Sequence, residues 1–219
     1  MIKNVIFDMD GVLIDTEALI LDIWEQIARR EGIAGIRGTL MQCIGITAPE
    51  TEALFLRVYG KDFPYHKYRG MASEIFQAQV AKNGLPVKPG VYQLFDFLLE
   101  NRYRIGLASS TREEVVRKEM ESIGLLANFH TIICGDMVSH SKPHPEIYLK
   151  ACESLGVLPS GCYAIEDSPN GIRSAHSAGM QTIMVPDLIQ PGPELAPLVS
   201  QKCATLLEVR DFLQTRQGG

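Results

Sequence analysis

Two aspartates follow a short run of apolar residues near the start of the chain. Val5, Ile6 and Phe7 are typical of a buried strand, and Asp8 and Asp10 come directly after them. Carboxylates held this close repel each other, so they need a bound cation or a raised pKa on one of the pair. Such a pair can supply a nucleophile and a general acid or base.

Polar side chains also follow three further apolar runs that have the character of strands. Ser109 and Ser110 follow the second run, Lys142 comes after the third, and Glu166 and Asp167 follow the fourth. In an open α/β sheet, ligands bind outside the carboxyl ends of the strands. We therefore expect these groups and the two early aspartates to meet at one edge of a sheet.

Strands and helices must alternate along most of the chain to place these groups together. Beyond the first strand, nearly continuous apolar runs predict strands that are covered on both faces, at 104–108, 131–134, 162–165 and 182–185. Helical spacing predicts helices between or beside them, at 91–101, 113–123, 146–155 and 170–178. This alternation predicts an α/β fold with an open, doubly wound parallel sheet.

The alternation is interrupted between the first and second strands. Residues 16–85 contain three helical patterns and no convincing strand. We therefore expect an all-helical domain at 16–85, inserted into a core domain that consists of 1–15 and 86–219. Asp15 is expected to lie at the hinge between the two.

The combined groups suit a magnesium ion and a phosphate. The four acids offer only oxygen ligands, which favours Mg²⁺ over zinc. Mg²⁺ commonly binds phosphates. A serine hydroxyl, backbone N–H groups at a helix start and a lysine are what a phosphate requires. Thr111, close to the start of the next helix, is expected to be its N-cap.

Composition narrows the class of protein. Apolar residues make up 46% and charged residues 21%, and the formal net charge is −5, which argues against a nucleic-acid or anionic-membrane binder. The five cysteines include no CxxC pair, so a disulfide framework or zinc site is not expected. No signal peptide and no apolar run of about 20 residues is apparent. A cytoplasmic protein is expected, with a monomer as the default state.

Four motifs, in order, resemble those of the haloacid dehalogenase superfamily. FDMDGVLIDTE is similar to its first motif, DxDGxxxD, and ASS at 108–110 is similar to its second. SKPHPEIY resembles the third motif, and IEDSPNGIRSAHSAGM resembles the fourth. The resemblance covers the whole predicted core. The helical insert after the first motif resembles the cap of the subgroup that contains β-phosphoglucomutase and small sugar-phosphate phosphatases.

This resemblance implies roles for the acids. Asp8 would be the nucleophile that forms an aspartyl-phosphate, and Asp10 would be the general acid and base. Asp8, Asp167 and Glu166 would bind Mg²⁺, together with the main-chain carbonyl of Asp10. The ligand taken with the metal would be a small phosphorylated substrate.

The resemblance also implies which residues bind the phosphoryl group and the rest of the substrate. Ser109, Ser110 and Lys142 would bind the phosphoryl group, and Lys142 would also orient the nucleophile. Candidates for substrate contacts in the cap are Glu17, Gly45, Ile46 and Thr47.

Two departures from the mutase pattern bear on the reaction. The mutases carry a histidine in the first cap helix, whereas 18–22 reads ALILD here, and they carry an arginine where this chain has Ala48. The sequence therefore favours a Mg²⁺-dependent phosphatase of small phosphorylated metabolites, with sugar phosphates foremost. A β-phosphoglucomutase-like phosphohexomutase is the alternative, in which Arg37, Lys67 or Arg69 would replace the missing arginine.

Two other classes remain for comparison. A phosphate-binding module without catalytic activity is disfavoured by the complete set of acids. A dehalogenase is disfavoured by Asp10, because that branch of the superfamily typically lacks an acid there.

Overall fold

A six-stranded, fully parallel sheet lies at the centre of the computed structural model, which describes residues 2–44, 46–188 and 190–216. The strands are β1 (Asn4–Phe7), β2 (Arg104–Ala108), β3 (Thr131–Ile133), β4 (Tyr163–Glu166), β5 (Gln181–Met184) and β6 (Gln201–Lys202). Their order across the sheet is β3-β2-β1-β4-β5-β6. The prediction of a doubly wound α/β sheet is confirmed, and β6 is an additional strand that the sequence pattern did not reveal.

Helices cover both faces of the sheet. Outside the insert they are α5 (Val91–Glu100), α6 (Glu113–Ser122), α7 (Glu146–Leu155), α8 (Pro169–Ser177) and α9 (Leu206–Thr215). Because successive strand side chains alternate between faces, Val5 and Phe7 of β1 pack into one hydrophobic cluster with α5, α6 and α9. Ile6 packs into the other with α7 and α8. The central strand is therefore buried on both sides, as its continuous apolar run predicts.

The segment between β1 and α5 is helical. It contains α1 (Thr16–Glu31), α2 (Ile36–Met41), α3 (Ala48–Tyr59) and α4 (Tyr65–Asn83), and we call these four helices the helical insert. Trp24, Phe55 and Tyr65 belong to a hydrophobic cluster composed only of insert residues. The insert thus has a hydrophobic core of its own, in agreement with the inserted helical domain expected from the sequence, whose boundaries stay a prediction.

The two segments that connect the helical insert to the core run side by side. The backbone N–H of Asp15 donates to the carbonyl of Pro86 at 2.9 Å, and that of Lys88 donates to the carbonyl of Leu13 at 2.9 Å. The Lys88 ammonium lies 2.6 Å from Asp187 and 3.6 Å from Asp15. Asp15 therefore lies at the junction, as expected of a hinge residue. None of the helices described is both long enough and apolar enough to cross a membrane.

Candidate active site

The carboxyl ends of three neighbouring strands bring the predicted groups together. Asp8 and Ser109 directly follow β1 and β2, and Glu166 is the last residue of β4. The N–H of Asp8 donates to the carbonyl of Ile165 at 2.9 Å, and that of Ser109 donates to the carbonyl of Ile133 at 3.0 Å. The hydrogen bonds of the sheet therefore fix the backbone positions from which these side chains extend.

Lys142 is buried at the centre of this group, with 2% of its surface exposed. Its ammonium donates to Asp8 Oδ1 and Glu166 Oε1, each at 2.6 Å, and to the carbonyl of Ala108 at 3.0 Å. The ammonium also lies 5.1 Å from the ring centroid of Tyr148. Burial lowers the pKa of Lys142, but the two carboxylates outweigh burial and raise that pKa, so the side chain is a cation.

The carboxylates outnumber the single cation among them. Burial raises the pKa of Asp8 to about 7, assisted by the charges of Glu166 and Asp10 and opposed by Lys142. Burial, together with the charges of Glu17 and Glu166, also raises the pKa of Asp167 well above its usual value. Burial is the main cause of both shifts, and the charges of neighbouring carboxylates add to it.

Three carboxylates are close enough to share a cation. Oxygens of Asp8, Glu166 and Asp167 lie within 4.8 Å of one another, and all three residues are buried. Carboxylate oxygens are suitable ligands for hard divalent cations. A dication would also supply the positive charge that Lys142 alone does not, so this cluster can hold a metal ion.

Two threonines orient Asp10. The Thr16 hydroxyl donates to Asp10 Oδ1 at 2.7 Å, and the Thr111 hydroxyl donates to Asp10 Oδ2 at 3.1 Å. Burial raises the pKa of Asp10, although both hydroxyls act in the opposite direction. The prediction that Thr111 caps α6 is wrong, because the N-cap position is Arg112 and the hydroxyl of Thr111 contacts Asp10 instead.

Two glycines allow the backbone to approach these acids closely. Gly11 has a φ of +80°, and a Cβ there would lie 2.4 Å from Asp167 Oδ2. A Cβ on Gly171 would lie 2.0 Å from the carboxyl carbon of Glu166. Gly11 therefore turns the chain after the first two aspartates, while Gly171 makes room for the carboxylate that holds Lys142.

A cavity of about 770 Å³ lies between the strand ends and the helical insert. Asp8, Asp10 and Asp167 contribute to its lining from the core. Ser110 also lines the cavity, whereas Ser109 is fully buried and its Oγ accepts the N–H of Thr111 at 3.1 Å. The contact between Ser109 and a phosphate stays a prediction.

Three of the four substrate candidates in the insert line this cavity, namely Glu17, Ile46 and Thr47. The fourth, Gly45, lies outside the described residues. Glu17 Oε2 is buried and has no hydrogen-bond partner among the residues described. Burial and the charges of Asp10 and Asp8 raise the pKa of Glu17 to about 9.

Glu50 connects the helical insert to the loop that carries Lys142. Its Oε2 accepts the N–H of Thr47 at 2.9 Å and the Thr47 hydroxyl at 2.8 Å, which closes the first turn of α3. The same carboxylate accepts the Ser141 hydroxyl at 2.5 Å. The N-terminus of α3 is thus joined to the residue before Lys142.

Sequence reasoning did not assign a role to some residues that shape this site. The Tyr148 hydroxyl donates to Glu166 Oε1 at 2.5 Å, and the hydroxyl of Thr16 holds Asp10. Tyr148 is the last residue of the SKPHPEIY motif, so its position in that motif was an available signal. Glu50 offered a weaker signal, the T-x-x-E spacing of a capping box.

Of the three cations proposed to replace the mutase arginine, one reaches the cavity. Arg37 pairs with Glu25 at 2.8 Å, and Lys67 pairs with Glu31 at 3.5 Å, and neither lines the cavity. Arg69 lines the cavity from α4. Arg112 lines it from the core side.

The replacement Gly171→Ala should disturb the site through Glu166. Alanine normally favours a helix over glycine, but here the added Cβ must displace the carboxylate that binds Lys142. We expect the free energy of unfolding to fall by about 1–3 kcal/mol, as for other overpacked cores. Urea denaturation measures this. Gly161→Ala is the matched control, since nothing lies within 4 Å of its Cβ. Equal stability of the two variants would contradict the expectation.

Comparisons with known proteins agree with this fold. The family model described as haloacid dehalogenase-like hydrolase matches residues 5–185. The chain is 32% identical over 184 residues to the phosphorylated carbohydrates phosphatase of Thermotoga maritima, with 83% of each chain covered. It is 31% identical over 189 residues to the beta-phosphoglucomutase of Bacillus subtilis, covering 84% of this chain and 83% of that protein.

A solved structure extends the likeness to three dimensions. The crystal structure of CbbY from Rhodobacter sphaeroides in complex with phosphate has a TM-score of 0.79 and 27% identity, over 95% of this chain and 96% of that one. The family match spans the strands from β1 to β5 and includes every acid of the site. The chain belongs to the haloacid dehalogenase-like hydrolases.

Proposed function

We propose that the protein is a Mg²⁺-dependent phosphatase of small phosphorylated metabolites, with sugar phosphates foremost. The observation that carries this proposal is the buried contact of Lys142 with Asp8 and Glu166, at 2.6 Å each, in the site that Asp8 and Asp10 share. The cavity is lined by Asp8 and Asp10, which supports the proposed roles of these two acids, and Lys142 lies behind them. The phosphatase among the relatives supports the same reaction class.

In the first step, Asp8 attacks the phosphorus atom. Lys142 binds Asp8 Oδ1, and we assign the other carboxylate oxygen, Oδ2, to the attack. The new bond joins Asp8 to phosphorus, and the bond from phosphorus to the alcohol oxygen breaks. Lys142 compensates the negative charge of the phosphoryl group and keeps Asp8 oriented.

Asp10 completes both halves of the reaction. Its raised pKa keeps a proton available for the departing alkoxide, and Thr16 and Thr111 hold the carboxyl in place. Ionised Asp10 then removes a proton from water as the water oxygen attacks phosphorus. The bond between phosphorus and Asp8 breaks, which releases phosphate and restores the Asp8 carboxylate.

The buried acids would hold the metal ion. Asp8, Glu166 and Asp167 supply carboxylate oxygens within 4.8 Å of one another, and the resemblance adds the main-chain carbonyl of Asp10. When bound, Mg²⁺ neutralises charge on the phosphoryl oxygens. Ser110, at the cavity surface, is placed to bind the phosphoryl group, with Ser109 behind it. A cytoplasmic location and a monomeric state stay predictions from composition.

The replacement Asp8→Asn should lower phosphate release by at least about a thousandfold, because the amide is a poor nucleophile. Release of inorganic phosphate from a panel of sugar, nucleotide and short-chain phosphates with Mg²⁺ measures this. Asp22→Asn is the matched control, since Asp22 is exposed on α1 and does not line the cavity. Equal phosphate release by wild type and Asp8→Asn would refute the role of Asp8.

Binding of Mg²⁺ should weaken as the pH falls through about 7. The metal binds ionised carboxylates, and Asp8 with its pKa of about 7 is mostly protonated at pH 6 and mostly ionised at pH 8. We expect the dissociation constant to be larger at pH 6 by at least about tenfold. Titration calorimetry at both values measures it, and two buffers of different ionisation enthalpy report the protons released. A dissociation constant that does not change with pH would contradict the proposed ligand set.

A phosphohexomutase is the second candidate, and Arg69 is the observation that favours it. Arg69 lines the cavity and could bind a second phosphate, as the mutase arginine would. Conversion of β-glucose 1-phosphate to glucose 6-phosphate in the presence of a bisphosphate activator would identify a mutase. We expect inorganic phosphate as the main product instead. The mutase would become the leading candidate if glucose 6-phosphate formed faster than phosphate was released. That formation should then be lost in Arg69→Gln.

A further inference from the structure

One side of the cavity consists of large apolar side chains that pack with no hydrophobic cluster of the described residues. They are Ile20 and Leu21 of α1, Met41 at the end of α2, and Ile44 and Ile46 in the loop that follows. We call these five residues the apolar wall. Ile20 is 39% exposed, although apolar side chains of this size normally pack against others. The apolar wall therefore faces the space that the substrate occupies.

Three polar residues that line the cavity at the start of α3 are engaged within the protein. The Thr51 hydroxyl donates to the Thr47 carbonyl at 3.1 Å, and Thr47 donates to Glu50. The Glu50 carboxylate also accepts from Ser141. These groups have hydrogen-bond partners before any ligand arrives, so they are poorly suited to replace water around a sugar hydroxyl.

The part of the cavity at the strand ends is strongly polar. Glu17 has an oxygen without a partner among the described residues, and it lies beside Asp167 in the acidic part of the site. A substrate therefore meets charged and hydrogen-bonding groups around its phosphate, and the apolar wall lines another part of the same cavity. The cavity volume of about 770 Å³ leaves room for a group beyond the phosphate.

We propose that the alcohol part of the substrate carries an aliphatic or aromatic group that packs on the apolar wall. This inference rests on the proposed phosphatase function and changes its favoured substrate class from plain sugar phosphates to esters that carry an apolar group. A polyol placed there would lose hydrogen bonds to water without replacement, whereas an apolar group gains from leaving water. The favoured substrate is a phosphate monoester with a polar portion near the phosphate and an apolar portion beyond it.

The test uses n-alkylphosphonates from ethyl to hexyl as competitive inhibitors of 4-nitrophenyl phosphate hydrolysis with Mg²⁺. These probes share one head group and differ only in apolar length. Burial of each methylene group is worth up to about fourfold in affinity. We expect the inhibition constant to fall at least about tenfold from ethyl to hexyl in the wild-type protein.

Two variants connect the trend to the apolar wall. Ile20→Ser should lower the ethyl-to-hexyl ratio by at least about threefold, because it removes apolar surface from the wall. Val58→Ser is the matched control, since Val58 is a β-branched residue of the same insert that is 50% exposed and does not line the cavity. It should leave the ratio unchanged.

The outcomes separate this inference from the function on which it rests. Hydrolysis of 4-nitrophenyl phosphate with inhibition constants that do not depend on chain length would overturn the inference and leave the phosphatase intact. Equal changes of the ratio in Ile20→Ser and Val58→Ser would also overturn the inference alone. Hydrolysis that is absent, or equal in the wild type and Asp8→Asn, would refute the phosphatase and the inference with it.

Discussion

The buried ammonium of Lys142 is the contact on which the rest of the site depends. A lysine with 2% of its surface exposed is costly unless carboxylates and carbonyls surround it. Asp8 and Glu166 bind it at 2.6 Å, and the carbonyl of Ala108 at the end of β2 completes the set. The ends of three adjacent strands must therefore stay in register. The parallel sheet provides that register, because each strand end is fixed by its neighbours.

The carboxylates around Lys142 outnumber this one cation. The same residues that bury the lysine therefore leave negative charge in the site that a ligand can balance. Lys142 is one cation beside Asp8, Glu166 and Asp167, and burial together with the neighbouring carboxylates raises the pKa of Asp8 and of Asp167. A metal ion and a phosphate would bring the charges closer to balance. The backbone at Gly171 packs directly against the carboxylate of Glu166, so even a methyl group at this position would displace Glu166. Functional sites commonly contain arrangements that lower stability locally, and favourable contacts in the surrounding structure compensate for this loss.

The sequence predicted the core better than the contacts between side chains. Residues that end strands, such as Asp8 and Glu166, were found because the apolar runs mark the strands and parallel strands end at one edge. The short strand β6 was missed, since two polar residues at a sheet edge carry no apolar pattern. The helix α9 was missed although Leu206, Val209 and Leu213 lie at helical spacing. Thr111 was misjudged for a related reason. Position near a helix start suggests a cap, but its partner, Asp10, lies 101 residues away in the chain.

The sequence alone determined the fold class, the helical insert and the identity of the acids, because these follow from local periodicity and from motifs at strand ends. Only the tertiary structure decided that Glu17 borders the acids, that Ser110 rather than Ser109 lines the cavity, and that Arg69 reaches it. It also placed Ile20 against open space rather than in a core. Each of these depends on how the insert packs over the sheet. That packing sets burial and pairing between residues far apart in the chain, and no local pattern encodes it.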